Sequence, residues 1–415
     1  MPKNVFYAQS GGVTAVINAS ACGVLETARQ YPEQFGTVFA GRDGILGALT
    51  EDLLDTSKET DAAIARLRHT PGGAFGSCRY KLKSDAARRR LLEVFAAHDV
   101  GYFFYNGGND SMDTALKVAE LARQEGVPLV TVGIPKTVDN DLAKTDCCPG
   151  FGSAAKYVAT SMREAGFDVA SMARTSTKIF VLEVMGRHAG WLTAACGLAA
   201  AAPGDAPHLL LFPEIPFAPE VFLPRVEAAV KAHGYCAIAV SEGLRDAAGN
   251  LLSSLGGQDA FGHAQLGGVG QSVAQLIQER LGHKYHWALA DYLQRSARHI
   301  ASQTDVDQAY AVGREAVLAA RSGHNAVMPA IHRLSDAPYR WEITLVPLAE
   351  VANVERKMPR EFITEDGFGV TEVCRRYLLP LLEGEAFPPF AQGLPDYARL
   401  TPPRAEKKLA DFSVE

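Results

Sequence analysis

Short, continuously apolar runs recur along the chain, separated by stretches with helical spacing. Val5 to Ala8 reads as a buried strand, and Thr14 to Thr27 after it as a helix. Val100 to Tyr105 is a second strand. The helix predicted behind it, Ser111 to Glu125, places Met112, Ala115, Ala119 and Ala122 on one face. Leu129 to Ile134, Ile179 to Val184, Leu209 to Phe212 and Ala237 to Val240 read as further strands. Strands alternating with helices of this length predict an α/β fold with mainly parallel sheets. Continuous rather than alternating apolarity predicts sheets covered on both faces.

In such sheets ligands bind beyond the carboxyl ends of the strands, so the residues just past each strand matter most. Ser10-Gly11-Gly12 comes after the first strand, and Gly107-Gly108-Asn109-Asp110-Ser111 after the second. Paired glycines at a helix N-terminus offer backbone N–H groups to an anion. One such turn alone is equally a tight strand-to-helix bend, but two in one sheet point to a phosphate site. Neither turn matches GxGxxG or GxxxxGK[ST], so the usual dinucleotide and P-loop patterns are excluded. The third strand leads into Pro135-Lys136-Thr137-Val138-Asp139-Asn140-Asp141. Carboxylates two apart in an extended segment point the same way, which suits one general base and one metal-facing or orienting group. A solvated acidic turn is the bland alternative. Met185-Gly186-Arg187-His188, Ser241-Glu242-Gly243 and Tyr292-Leu293-Gln294-Arg295 close the later strands and segments. Arg187 can take a phosphate bidentately, and Glu242 can accept from sugar hydroxyls.

Composition narrows the class without changing this picture. The 415 residues suggest two or three domains, and 47% hydrophobic with 21% charged is ordinary globular composition. The net charge of −6 speaks against a protein that binds the nucleic-acid backbone. Seven scattered cysteines without a CxxC pair indicate neither a zinc site nor a disulfide framework. The N-terminus has no leader-like n- and h-regions, and no apolar window reaches the roughly 20 residues of a membrane span. No nucleic-acid or membrane partner is expected, and a cytoplasmic location is.

Taken together and in order, these pieces resemble the phosphofructokinase family. The matching pieces are Gly11-Gly12, Gly107-Gly108-x-Asp110-Ser111, Pro135-x-Thr137-x-Asp139-Asn140-Asp141, Met185-Gly186-Arg187, Glu242 and Gln294-Arg295. The resemblance covers residues 9 to about 300. Family members that use ATP have Gly at the positions of Asp110 and Lys136, whereas the pyrophosphate-using members resemble this chain at both. A carboxylate at Asp110 would face the α-phosphate of ATP, and like charges about 4 Å apart cost roughly 4 kcal/mol at an effective dielectric near 20. Pyrophosphate has no α-phosphate, and Lys136 would hold it and offset charge on the transferring group.

The resemblance implies Mg²⁺-dependent, reversible phosphoryl transfer from pyrophosphate to the C1 hydroxyl of fructose 6-phosphate. It implies Asp139 as general base, with Thr137 positioning the reacting groups. Lys136, the Gly12 amide and Arg79 would meet phosphate. Arg187 and Glu242 would hold the sugar in a pocket shaped by Met185 and Gly186. Arg295 and Tyr292 would reach the 6-phosphate, and so would Lys178, in the family often from a neighbouring subunit, which makes a homodimer or homotetramer the expected assembly. Asn109 stands where the family usually has a Mg²⁺-holding Asp, which shifts metal binding toward Asp139 or Asp141 and the pyrophosphate itself. Tyr292 stands where short ATP-using members have His, and the Gly-rich part of the 242–292 stretch, 256–270, reads as a lid or an insertion. Three alternatives are an ATP-dependent enzyme, a pyrophosphate enzyme that prefers another acceptor such as sedoheptulose 7-phosphate, and a sugar-phosphate sensor without catalysis. An NAD-dependent or nucleotide-sugar oxidoreductase lacks its fingerprint.

The expected organisation is two α/β domains with the active site in the cleft between them. The larger takes residues 1–140 with a return segment of about 290–350, and the smaller takes 141–290. Residues 351–415 form a wrapping extension whose last ten residues are expected to be loosely held.

Overall fold

A computed structural model of the chain describes residues 1–252 and 266–414. The stretch 256–270 therefore lies, up to residue 265, outside the described residues. In chain order the principal strands are β1 (Lys3–Gln9), β2 (Phe35–Gly41), β3 (Leu53–Asp55), β4 (Val100–Gly107), β5 (Val130–Pro135), β6 (Ile179–Val184), β7 (Leu209–Leu211), β8 (Cys236–Ser241), β9 (Tyr285–Leu289), β10 (Val327–Asp336) and β11 (Tyr339–Pro347). The long helices are α1 (Ile17–Arg29), α2 (Asp85–Ala97), α3 (Asn109–Gln124), α4 (Phe151–Met172), α5 (Pro219–His233), α6 (Val269–Leu281) and α7 (Gln303–Arg321).

The chain forms two compact units. One comprises Met1–Gly150, Arg298–Glu355 and Gly384–Glu415; the other comprises Phe151–Ala297 and Arg356–Glu383. The first unit is built on a seven-stranded sheet of order β11-β10-β5-β4-β1-β2-β3. Its interior is parallel, and antiparallel β3 and β11 close the edges. Phe6, Phe95, Phe103 and Tyr105 stack through its core with centroids 5.2–5.8 Å apart, a spacing that favours tilted aromatic pairs. The second unit has a four-stranded parallel sheet of order β7-β8-β6-β9. Its core gathers Ile179, Val181, Ile238 and Val240 against Phe222 and Ile277.

The sheet order of the first unit already locates its chemistry. From β1 the chain proceeds to β2 on one side, and from β4 it proceeds to β5 on the other. β1 and β4 are neighbours, so the crevice at their carboxyl ends is the topological switch point where ligands of such sheets bind. The loops at 10–12 and 107–111 both lie there.

Two local expectations are corrected. The helix expected from Thr14 begins only at Ile17. The Thr14 hydroxyl accepts the Val16 N–H at 3.4 Å, a local bond that competes with helix start. Gly11-Gly12 therefore do not cap a helix, whereas Gly108 is the N-cap of α3. Residues 406–414 are not loosely held. Ala405, Leu409, Phe412 and Val414 pack on the first unit's core. The amides of Lys408 and Leu409 donate to the Glu51 carboxylate at 2.7 and 3.1 Å. The same carboxylate, wholly buried, meets His98 Nε2 at 2.6 Å and has the Arg90 guanidinium 3.8 Å away. No helix among the described residues is long and apolar enough to cross a membrane.

Candidate active site

The loops at the ends of β1, β4 and β5 interlock within the first unit. The Lys136 N–H donates to the Gly107 carbonyl at 3.0 Å, and its Nζ donates to the Gly12 carbonyl at 2.6 Å. Lys136 is only 4% exposed. A buried ammonium of this kind demands oxygen partners, and the loop after β1 supplies one of them. Ser111 Oγ donates to Ser10 Oγ at 2.9 Å, which ties the start of α3 to the same loop. A Cβ on Gly107 would lie 2.1 Å from Ser111 Oγ, so only glycine fits there. The segment before Arg79 pins this loop further. Gly11 N–H donates to the Cys78 carbonyl, and Ser77 Oγ donates to the Gly11 carbonyl. Arg79 comes directly after, exposed at the edge of this loop.

The Thr137–Asp141 loop is held by its own polar groups. Asp139 N–H donates to Thr137 Oγ1 at 3.1 Å, and Thr137 N–H donates to the Pro149 carbonyl. Asn140 takes a left-handed φ of 55° and accepts the Cys148 N–H with Oδ1. Buried Asn140 thus separates Asp139 from Asp141, both of which reach partial exposure. Asp110 lies in the first turn of α3, where the helix dipole favours a carboxylate.

Asn109 is committed elsewhere. Its carboxamide donates to the Val354 carbonyl at 2.8 Å and accepts the Asn353 N–H at 2.6 Å. The oxygen donors that this loop itself offers a hard cation are the carboxylates of Asp139 and Asp141. That set suits Mg²⁺, which typically takes one or two carboxylates and completes its shell with water and phosphate oxygens.

In the second unit, the loops after β6 and β8 are adjacent because these strands pair in parallel. Gly186, at φ 141°, donates its N–H to Glu242 Oε1 at 3.5 Å, and Ser241 Oγ donates back to the Gly186 carbonyl. A Cβ on Gly243 would fall 2.0 Å from the Arg187 carbonyl. These glycines let Met185, Gly186, Arg187 and Glu242 share one small region. Burial pushes the Glu242 carboxyl up to about 7, although the Gly186 amide and the Arg187 guanidinium pull the other way. Gln294 Oε1 accepts the Met185 N–H at 3.2 Å and so connects this region to the 292–295 turn. The Arg295 guanidinium lies 3.7 Å over the Tyr292 ring, whose residue is 60% exposed. Lys178 Nζ donates to the Ala173 carbonyl, just past α4.

The family model "Phosphofructokinase" matches residues 4–320. The chain belongs to the phosphofructokinase family. It is similar to the pyrophosphate–fructose 6-phosphate 1-phosphotransferase of Methylococcus capsulatus, with 66% identity over 99% of each chain. A relative of the same name from Halomonas elongata is 62% identical, again over 99% of each. Among solved structures, a pyrophosphate-dependent phosphofructokinase from Nitrosospira multiformis superposes with a TM-score of 0.93 at 58% identity, covering both chains in full.

Two residues have structural roles that the sequence does not reveal. Gln294 holds a motif position, but its bond to the Met185 amide is visible only in the fold. Glu183, buried at the end of β6, accepts the Gly270 N–H at 2.8 Å and so caps the N-terminus of α6. A buried acid within an apolar strand is the available signal, since such a group needs a partner.

Proposed function

We propose that this protein transfers a phosphoryl group from pyrophosphate to the C1 hydroxyl of fructose 6-phosphate, reversibly, giving fructose 1,6-bisphosphate and phosphate. The observation that carries the donor assignment is the buried Lys136 ammonium delivered to the Gly12 loop, with Asp110 at the head of α3. The relatives at 62 and 66% identity bear this activity in their names.

Each group has a defined task. Lys136 and the Gly12 amide gather charge on the donor phosphates, and Arg79 adds a second cation. Thr137 orients the transferring group. Asp139 accepts the C1 hydroxyl proton as its oxygen attacks phosphorus and the second phosphate leaves. Arg187 and Glu242 hold the sugar, Met185 and Gly186 shape its pocket, and Arg295, Tyr292 and Lys178 take the 6-phosphate. Asp139 and Asp141 would hold Mg²⁺, which when bound neutralises phosphate charge. Incubating the protein with fructose 1,6-bisphosphate, orthophosphate and Mg²⁺ should generate pyrophosphate, visible by phosphorus NMR. Its failure to form under conditions where the forward reaction runs would refute reversibility.

The raised carboxyl of Glu242 gives a pH signature. A group titrating near 7 is mainly carboxylate above that pH and mainly carboxyl below it, and only the carboxylate accepts from two sugar hydroxyls. The KM for fructose 6-phosphate should therefore rise by up to about tenfold from pH 8 to pH 6. Glu242→Gln should raise KM at pH 8 and flatten that dependence. An unaltered slope in the variant would remove Glu242 from sugar binding.

A further inference from the structure

We propose that Lys81 is a donor-positioning residue: it compensates and fixes the Asp110 carboxylate so that pyrophosphate can bind beside an acid. This rests on the reading that the 107–111 loop takes the donor. Lys81 Nζ lies 3.1 Å from Asp110 Oδ1, joining an irregular segment to the first turn of α3. Both side chains line a cavity of about 420 Å³, together with Lys83, Arg88, Asp113 and Lys117. Two of the other cations there are paired with their own acids. Lys117 meets Asp113 at 2.6 Å, and Arg88 meets Asp85 at 2.7 Å. Asp110 pairs with Lys81, and the two charges are only about a third exposed.

The consequence is electrostatic and steric at once. A lone carboxylate at the head of α3 repels every anionic donor, pyrophosphate included. Paired with Lys81, its field on pyrophosphate is largely cancelled. The pair still occupies space, so a donor with a further phosphate has to break it. Lys81 therefore reconciles the acid that disfavours longer donors with tight binding of the short one. Its influence passes through Asp110 rather than through a direct bond to the donor.

The test is a double-variant cycle read in kcat, in the KM for pyrophosphate and in the KM for fructose 6-phosphate. Lys81→Met should raise the pyrophosphate KM about tenfold, the cost of one uncompensated charge worth a decade in affinity. Its kcat and sugar KM should stay close to wild type, and Lys81→Arg should restore the pyrophosphate KM. Adding Asp110→Asn to Lys81→Met should bring that KM back to within about threefold of Asp110→Asn alone. An unchanged KM in Lys81→Met overturns the proposal. So does a double variant that keeps the full tenfold loss, because Lys81 would then act on the donor directly. Wild-type protein that fails to use pyrophosphate would refute the donor reading itself, whereas active wild type with a flat Lys81 series refutes this proposal alone.

Discussion

Asp139→Asn is expected to lower kcat by roughly 10²- to 10⁴-fold, the range that a positioned general base contributes. The substitution keeps the shape of the side chain, and the Asp139 backbone N–H still donates to Thr137 Oγ1. The loop should therefore fold as before. Equilibrium binding of fructose 6-phosphate, measured by calorimetry, should change little. That split between turnover and affinity separates a base from a binding residue. Full activity in the variant would point to a different base, with Asp141 the next carboxylate along the loop.

The second large effect concerns stability. Glu51→Ala should cost about 3–5 kcal/mol, the usual result of removing one partner from a buried charged cluster. It leaves His98 and the two tail amides without their common acceptor, and Arg90 without its nearby counter-charge. Burial alone would raise the Glu51 carboxyl, but the Lys408 amide, His98 and the Leu409 amide outweigh it and hold it below its ordinary value. A depressed carboxyl contributes stability that is present above its unfolded pKa, near 4, and is lost as the pH falls through the lower folded value. In the variant, urea unfolding should shift to lower concentration at pH 7, and the shift should shrink in strong acid. Limited proteolysis should also begin to cut within 404–414. An unshifted transition with a protected tail would show that apolar packing of Leu409 and Phe412 suffices to hold the segment.

The parts of the fold legible in the sequence were those with uniform environments. Ile179–Val184 lies in the middle of a covered sheet, so its apolar run is nearly uninterrupted and its limits coincide with the strand. Tyr285–Leu289 is an edge strand of the same sheet with His286, Trp287 and Leu289 exposed, and its mixed pattern carries no strand signal. The β10–β11 hairpin hid for a similar reason. Exposed residues recur along the outer half of β10 and throughout β11, and the turn between them has no Gly pair.

The same distinction holds at the candidate site. Residues just past a buried strand, such as Gly107-Gly108 and Lys136-Thr137, declare themselves by position. The pairing of Lys81 with Asp110 does not, because it reaches α3 from a segment without regular structure. Nor does the anchoring of residues 408–409 on Glu51, which depends on a contact more than 350 positions away.

The donor is the central claim, and initial rates decide it. Purified protein would be supplied with fructose 6-phosphate and Mg²⁺, with pyrophosphate or ATP in turn, and formation of fructose 1,6-bisphosphate monitored through a coupled assay. Rapid turnover with pyrophosphate and none above background with ATP is the expected result. Turnover with ATP comparable to that with pyrophosphate would contradict it, because the Asp110–Lys81 pair would then present no obstacle to an α-phosphate.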